Sequence, residues 1–259
     1  MTEEQKFFFD LKGWLLLPAV LSPIECEVVK EHLISGGNGF TTPARFTGPA
    51  QELLDHPAVV DVLTEILGLG RKFDDYYNFR CEGSFITTRQ AGWKPDRTDV
   101  PHGGAGIDAQ AYRTNGKQIY SGLTRVVWEL NPVGKDDGGT LFLSGTHKAN
   151  FPFPASVHQP NNPYLESYSC PAGSIFIFTE SLLHAATAWT NPEVERVSIF
   201  NCYNSISTQF HRLNLPHEVI TSMPPKRQSL FRGTWVHDFS VQPDEAGRNR
   251  YYSLDSRSL

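Results

Sequence analysis

Apolar positions along this chain change texture near residue 74. Before that point they fall in longer runs bounded by helix signals. Gly13–Val20 reads as a strand, and Ser22-Pro23-Ile24-Glu25 follows with a capping serine, a proline at the first helical position and a glutamate at the third. That grammar predicts a helix to about Ile34. Pro57 opens a second helix expected through Leu67 and closed by Gly68. From about Asp74 the apolar residues come in short segments broken by Gly, Pro and Asn, which predict strands over Phe79–Thr88, Thr124–Leu130, Gly139–Leu143, Ser174–Thr179 and Glu195–Tyr203. Strands of this length between turn clusters indicate an antiparallel sandwich or jelly roll, mainly β with flanking helices braced against one face. No internal repeat or low-complexity tract interrupts the pattern, and the polar stretch Asp244–Leu259 reads as a mobile end or a lid.

Composition narrows the function classes. A chain of 259 residues suffices for one large β domain spanning 1–259. With 23 basic and 28 acidic residues the net charge is −5, so no basic field points to a nucleic acid polymer. The polar start Met1–Lys6 and the short apolar stretch Trp14–Leu21 fit neither a signal peptide nor a membrane span. Cys26, Cys81, Cys170 and Cys202 are scattered without a C-x-x-C pair, which argues against zinc knuckles and a disulfide framework and for a reducing cytoplasm.

The chemistry-bearing positions are His102, Gly104, His184 and Arg196. Two distant histidines with an arginine after the second suit a non-haem Fe(II) site, in which two His and one carboxylate hold one face of the metal. The carboxylate usually sits two residues after the first His, where this chain has Gly104. On the last strand, alternation puts Arg196 on one face with Ser198, Phe200 and Cys202. An arginine on so apolar a strand needs an anionic partner. Either the end carboxylate of 2-oxoglutarate, with Ser198 adding a hydroxyl, or one of the chain's own acids would serve. His147, in the turn Ser144-Gly145-Thr146-His147-Lys148, competes with His184 as second metal ligand; the trailing Arg-x-Ser favours His184.

Several segments together resemble the phytanoyl-CoA dioxygenase family. They are the stretch Asp136-Asp137-Gly138-Gly139-Thr140-Leu141-Phe142-Leu143-Ser144-Gly145-Thr146-His147-Lys148, the stretch Pro171-Ala172-Gly173-Ser174-Ile175-Phe176-Ile177-Phe178-Thr179, Asp55-His56-Pro57, and the interval from His184 to Arg196. The resemblance covers most of residues 5–235 and implies a cupin-like double-stranded β-helix using Fe(II), 2-oxoglutarate and O₂. Position by position, His102 and His184 match the iron histidines and Arg196 the 2-oxoglutarate arginine, whereas Gly104 stands where the family has aspartate.

That departure is similar to the Fe(II)/2-oxoglutarate halogenases, whose His-x-Gly or His-x-Ala motif leaves a coordination position for chloride. The resemblance implies a chloride site at Gly104 and chlorination of an unactivated carbon. Three alternatives stand beside it: hydroxylation with water in the third position, a carboxylate supplied by Asp108, and a non-catalytic binding relative. The acidic balance disfavours an acidic carrier protein as partner and leaves a free small molecule as substrate. The pattern looks similar to free-standing nucleotide halogenases acting on a 2′-deoxyadenosine monophosphate type of substrate in antibiotic biosynthesis. On that reading Arg45, Arg97 and Arg125 are phosphate anchors, and Phe46, Trp93, Tyr112 and Trp128 are aromatic walls for a flat base.

Overall fold

The computed structural model describes residues 1–35, 43–95, 107–159 and 162–236. Among these residues six α-helices, α1 (Glu3–Lys12), α2 (Pro23–Ser35), α3 (Gly48–Gln51), α4 (Pro57–Ile66), α5 (His217–Thr221) and α6 (Pro225–Gln228), flank a β framework. Its strands are β1 (Trp14–Leu17), β2 (Phe79–Arg89), β3 (Arg113–Thr114), β4 (Ile119–Tyr120), β5 (Thr124–Glu129), β6 (Gly139–Leu143), β7 (Ser174–Thr179), β8 (Leu183–Thr187) and β9 (Arg196–Ser205). The major sheet runs β1-β7-β5-β9-β2 with every neighbour antiparallel, and β6 pairs with β8 in a separate antiparallel pair. This is the jelly-roll class that the strand pattern predicts.

Local chemistry accounts for the element ends. The Ser22 hydroxyl accepts from the Glu25 amide, and the Glu25 carboxylate accepts from the Ser22 amide, so α2 starts where the capping signal places it. The first strand is shorter than the apolar run suggests, because Pro18 cannot donate to a ladder and Ala19 turns the chain at φ +48°. Nothing in the hydrophobic spacing announces α1. Its signal is the reciprocal box between Thr2 and Gln5, and of its apolar residues only Phe9 is buried.

Two cores lie on opposite faces of the major sheet. On the helix side Leu15, Val126, Trp128, Ile175, Ile177, Val197, Ile199 and Tyr203 meet Phe9, Val29, Leu33 and Leu63 from α1, α2 and α4. On the other face Val127, Phe176, Phe178 and Phe200 pack with Phe142, Tyr168 and Trp189 to form the interior between the sheets. Strand β2 serves both. A bulge between Cys81 and Gly83 shifts its register against β9, so Phe79 and Cys81 join the helix-side core while Phe85 lies opposite Phe200 on the interior face. Glu82, the extra residue, accepts from the Phe210 amide at 3.0 Å and pairs with His211 at 3.4 Å. Gly138, at φ +120°, admits β8 beside β6, since a Cβ there would stand 2.2 Å from the Ala188 carbonyl oxygen.

Candidate functional site

Strand parity assembles the interior. Arg196, Ser198, Phe200 and Cys202 of β9 face it, as do Arg125, Val127 and Glu129 of β5, opposite them in the antiparallel register. Arg196 and Glu129 are both fully buried. The guanidinium grips the carboxylate twice, Nη2 donating to Oε1 at 2.5 Å and Nε to Oε2 at 3.2 Å, while Nη2 also donates to the Tyr168 hydroxyl at 3.0 Å. Burial opposes the charge on Arg196, but Glu129 and Tyr168 outweigh it and raise the pKa. Of the two anionic partners that the strand pattern allowed for Arg196, the chain's own acid is present. Nη1 of Arg196 and Oγ of Ser198 are buried and have no hydrogen-bond partner among the described residues.

His184 lies on β8 with Phe142 as its ladder partner. Its Nδ1 is 2.7 Å from the Leu182 carbonyl oxygen, which can only accept, so the hydrogen is on Nδ1 and the Nε2 lone pair is directed into the interior. The edge-on ring of Phe178, 4.9 Å away, fixes the imidazole from the side. Nε2 looks toward Glu180 Oε1 at 3.9 Å. The other oxygen of Glu180 accepts from Arg125 Nε at 2.6 Å, and Arg125 Nη1 contacts the Cys202 sulfur at 2.7 Å. Phe85 stacks on Phe200 at 4.5 Å and is 39 % exposed, so this pair marks the solvent-facing side of the interior face of β2 and β9.

A search of solved structures finds this architecture elsewhere. The chain shares its fold with HygX from Streptomyces hygroscopicus. Apo HygX superposes with a TM-score of 0.66 at 18% identity, covering 85% of this chain and 93% of HygX. HygX with nickel, 2-oxoglutarate and hygromycin B bound gives 0.64 at 19%, covering 83% and 90%. SnoK, a non-heme alpha ketoglutarate dependent carbocyclase from nogalamycin biosynthesis, gives 0.57 at 16%, covering 87% and 92%. Identities this low establish a common fold with HygX and SnoK. No protein-family model matches the chain, and no curated protein does, so the phytanoyl-CoA dioxygenase likeness stays a resemblance.

Within the HygX-like framework the expected site residues separate into three groups. His184, Arg196, Ser198 and Arg125 share the interior. Arg45 is partly buried near Cys202; burial depresses its pKa and Cys202 acts in the opposite sense. His102, Gly104 and Arg97 lie outside the described residues, as does the 244–259 segment expected to be a tail or lid. Two aromatic assignments are corrected. Phe46 and Trp128 are fully buried in the helix-side core, Phe46 edge-on to Phe231 and Trp128 edge-on to His56, so neither can face a substrate. Arg125 points inward but already holds Glu180 rather than waiting for a phosphate. Asp108 is excluded as an inward carboxylate, because its side chain is 87% exposed and pairs with Arg113. His147 donates from Nε2 to the Asp10 carbonyl, and burial lowers its pKa to about 4, which gives it the structural role expected.

The residue that sequence reasoning missed is Glu180. Its signal was an acid directly after the buried strand Ser174–Thr179, four positions before His184. Among the described residues no three His, Cys, Asp or Glu side chains converge as a metal site. An imidazole whose far nitrogen is pinned by a carbonyl suits a metal ligand, and the orphaned Nη1 and Oγ suit a carboxylate-bearing co-substrate, so the residues present fit an iron and 2-oxoglutarate.

Proposed function

We propose that the chain is a non-haem Fe(II)/2-oxoglutarate-dependent oxygenase-type enzyme acting on a free small molecule. The observation that carries this reading is the pairing, in one interior, of His184 held by its Nδ1–H with Nη1 of Arg196 and Oγ of Ser198, which have no partner among the described residues. His184, with His102 as the second histidine, would hold iron. Iron bound there would supply the chemistry that couples decarboxylation of 2-oxoglutarate to activation of O₂. Arg196 and Ser198 would bind the distal carboxylate, with Glu129 and Tyr168 keeping the guanidinium charged and immobile. The Phe85–Phe200 pair would form an apolar floor for the substrate at the open end. Crystallised neighbours come from natural-product chemistry: HygX was solved with hygromycin B, and SnoK belongs to nogalamycin biosynthesis. These support a free natural-product substrate over a polymer or carrier-bound one. No helix among the described residues is long and apolar enough to cross a membrane.

Anaerobic addition of Fe(II) and 2-oxoglutarate should produce a visible metal-to-ligand charge-transfer band and raise the melting temperature. Absence of both refutes the assignment.

Halogenation is the second reading, and Gly104 favours it by withholding a carboxylate where the resemblance expects one. It requires chloride as a fourth small component, and Gly104→Asp should then abolish chlorination. A variant that chlorinates normally would exclude the position. The nucleotide version of this reading loses two of its supports, since Phe46 and Trp128 are core residues.

A further inference from the structure

We propose that a pocket at the outer edge of the major sheet binds a small organic anion, a phosphate or carboxylate carried on an apolar body. Its lining includes none of the residues assigned to iron or 2-oxoglutarate, so the inference stands apart from the reading above.

The pocket has a volume of about 560 Å³ and lies between Arg80 on the edge strand β2, the segment 209–214 that follows β9, and the segment 231–233. Arg80 is 5% exposed. Its Nε donates to the Arg232 carbonyl at 2.6 Å and its Nη1 to the Thr208 carbonyl at 3.4 Å, while Nη2 has no acceptor among the described residues. Arg125, Arg196 and Arg227 are each held by a carboxylate. Arg80 makes no ion pair among the described residues, although a charge at its depth needs compensation. Burial works against that charge, and Glu82 favours it without touching it. The Glu82 oxygens serve the Phe210 amide at 3.0 Å and His211 at 3.4 Å instead.

The charge around Arg80 has one sign. Arg212 and Arg232 join it in the lining, which holds no aspartate or glutamate, in a chain whose net charge is −5. Arg232 is already engaged: it donates to the Trp235 carbonyl, and its guanidinium lies 3.7 Å over the Trp235 ring. It therefore adds charge rather than a waiting donor. Arg212 is exposed at the rim. Apolar surface stands beside these cations. Leu213 and Phe231 are backed by the helix-side core, and Phe210, 40% exposed, is edge-on to His211. A concave apolar lining with a few convergent polar groups is the form of a small-molecule site. A guanidinium fork with a donor to spare selects a planar or tetrahedral oxyanion as the charged end.

The test is calorimetric titration of the full chain with phenyl phosphate and with phenylacetate, and with benzyl alcohol as the uncharged counterpart. One equivalent of either anion should bind saturably and more weakly as sodium chloride is raised, and benzyl alcohol should not bind. Whichever anion binds more tightly identifies the oxyanion. Arg80→Met should weaken the binding at least about tenfold, the effect of losing a hydrogen bond to a charged group. Arg212→Glu, a surface change, should weaken it about fivefold, and Ser198→Ala should leave it unchanged. Circular dichroism reports whether Arg80→Met is folded. A folded Arg80→Met that binds as the wild type does makes Arg80 a tie between two carbonyls and overturns the proposal. Absence of saturable binding to the wild-type protein, equal binding of benzyl alcohol, or binding that Arg212→Glu leaves intact overturns it whether or not Arg80→Met folds. Loss on Ser198→Ala alone would put the anion in the interior between the sheets and overturn it as well.

Discussion

Arg196→Ala removes two things at once, and the structure allows them to be measured apart. The guanidinium and the Glu129 carboxylate are both fully buried, 2.5 Å apart at their closest, with Tyr168 completing the network. Truncating the arginine strands a desolvated carboxylate, which costs about 3–5 kcal/mol of folding stability. It also removes Nη1, the atom assigned to 2-oxoglutarate, at a cost of about 2–5 kcal/mol in binding. On the affinity scale that is a weakening of roughly 30-fold to several thousand-fold. A single variant confounds the two losses, because a destabilised protein also binds poorly. Arg196→Met combined with Glu129→Met removes the buried pair together, and such replacements are neutral or stabilising in many proteins. The double variant should therefore regain most of the urea-unfolding stability while 2-oxoglutarate affinity, by calorimetric titration, stays lost. Recovery of wild-type affinity in the double variant would show that the arginine serves only its glutamate. An Arg196→Ala protein within about 0.5 kcal/mol of wild-type stability would refute the desolvated pair itself.

Other outcomes follow from the same geometry. His147 has its pKa lowered by burial from 6.5 to about 4, so the fold favours its neutral form. The unfolded chain binds the extra proton between those values, so His147's contribution is complete above about pH 6.5 and is lost as pH falls toward 4, by up to about 3 kcal/mol. The stability difference between wild type and His147→Gln should drift by that amount over this window, and parallel curves would contradict it. His184→Ala should lower bound iron while His147→Ala leaves it intact; the reverse result would exchange their roles. Phe85→Ala should weaken substrate binding while leaving 2-oxoglutarate affinity unchanged, because its ring lies at the open end against Phe200. Equal effects on both affinities would place the ring pair elsewhere in the reaction.

The strands were legible where a buried face alternates or a short apolar run ends in glycine and proline. Gly139–Leu143 and Ser174–Thr179 are found as expected. Strand β8 was hidden, because Leu183–Thr187 follows β7 after a three-residue turn and carries too few residues to show a period. Half of the site could be read by parity: Arg196, Ser198, Phe200 and Cys202 do share the interior face. The same parity would have separated Trp128 from Arg125, which stand three apart on one strand and so project to opposite faces. Glu180 had only its place directly after a buried strand as a signal, since no periodicity tells which of 28 acidic residues is folded inward. Burial and the company of Arg125 decide that, and both are properties of the tertiary arrangement.

The irregularity at Glu82 gives the second strand a reading frame. Upstream of it odd-numbered side chains serve the helical layer; downstream they face the chamber between the sheets. Deleting that one residue would act as a spatial frameshift, turning Phe85 out of the chamber and swapping polar for apolar neighbours along everything that follows. Substitutions in this strand can tune the chamber one side chain at a time, whereas changes in its length rewrite the wall as a whole.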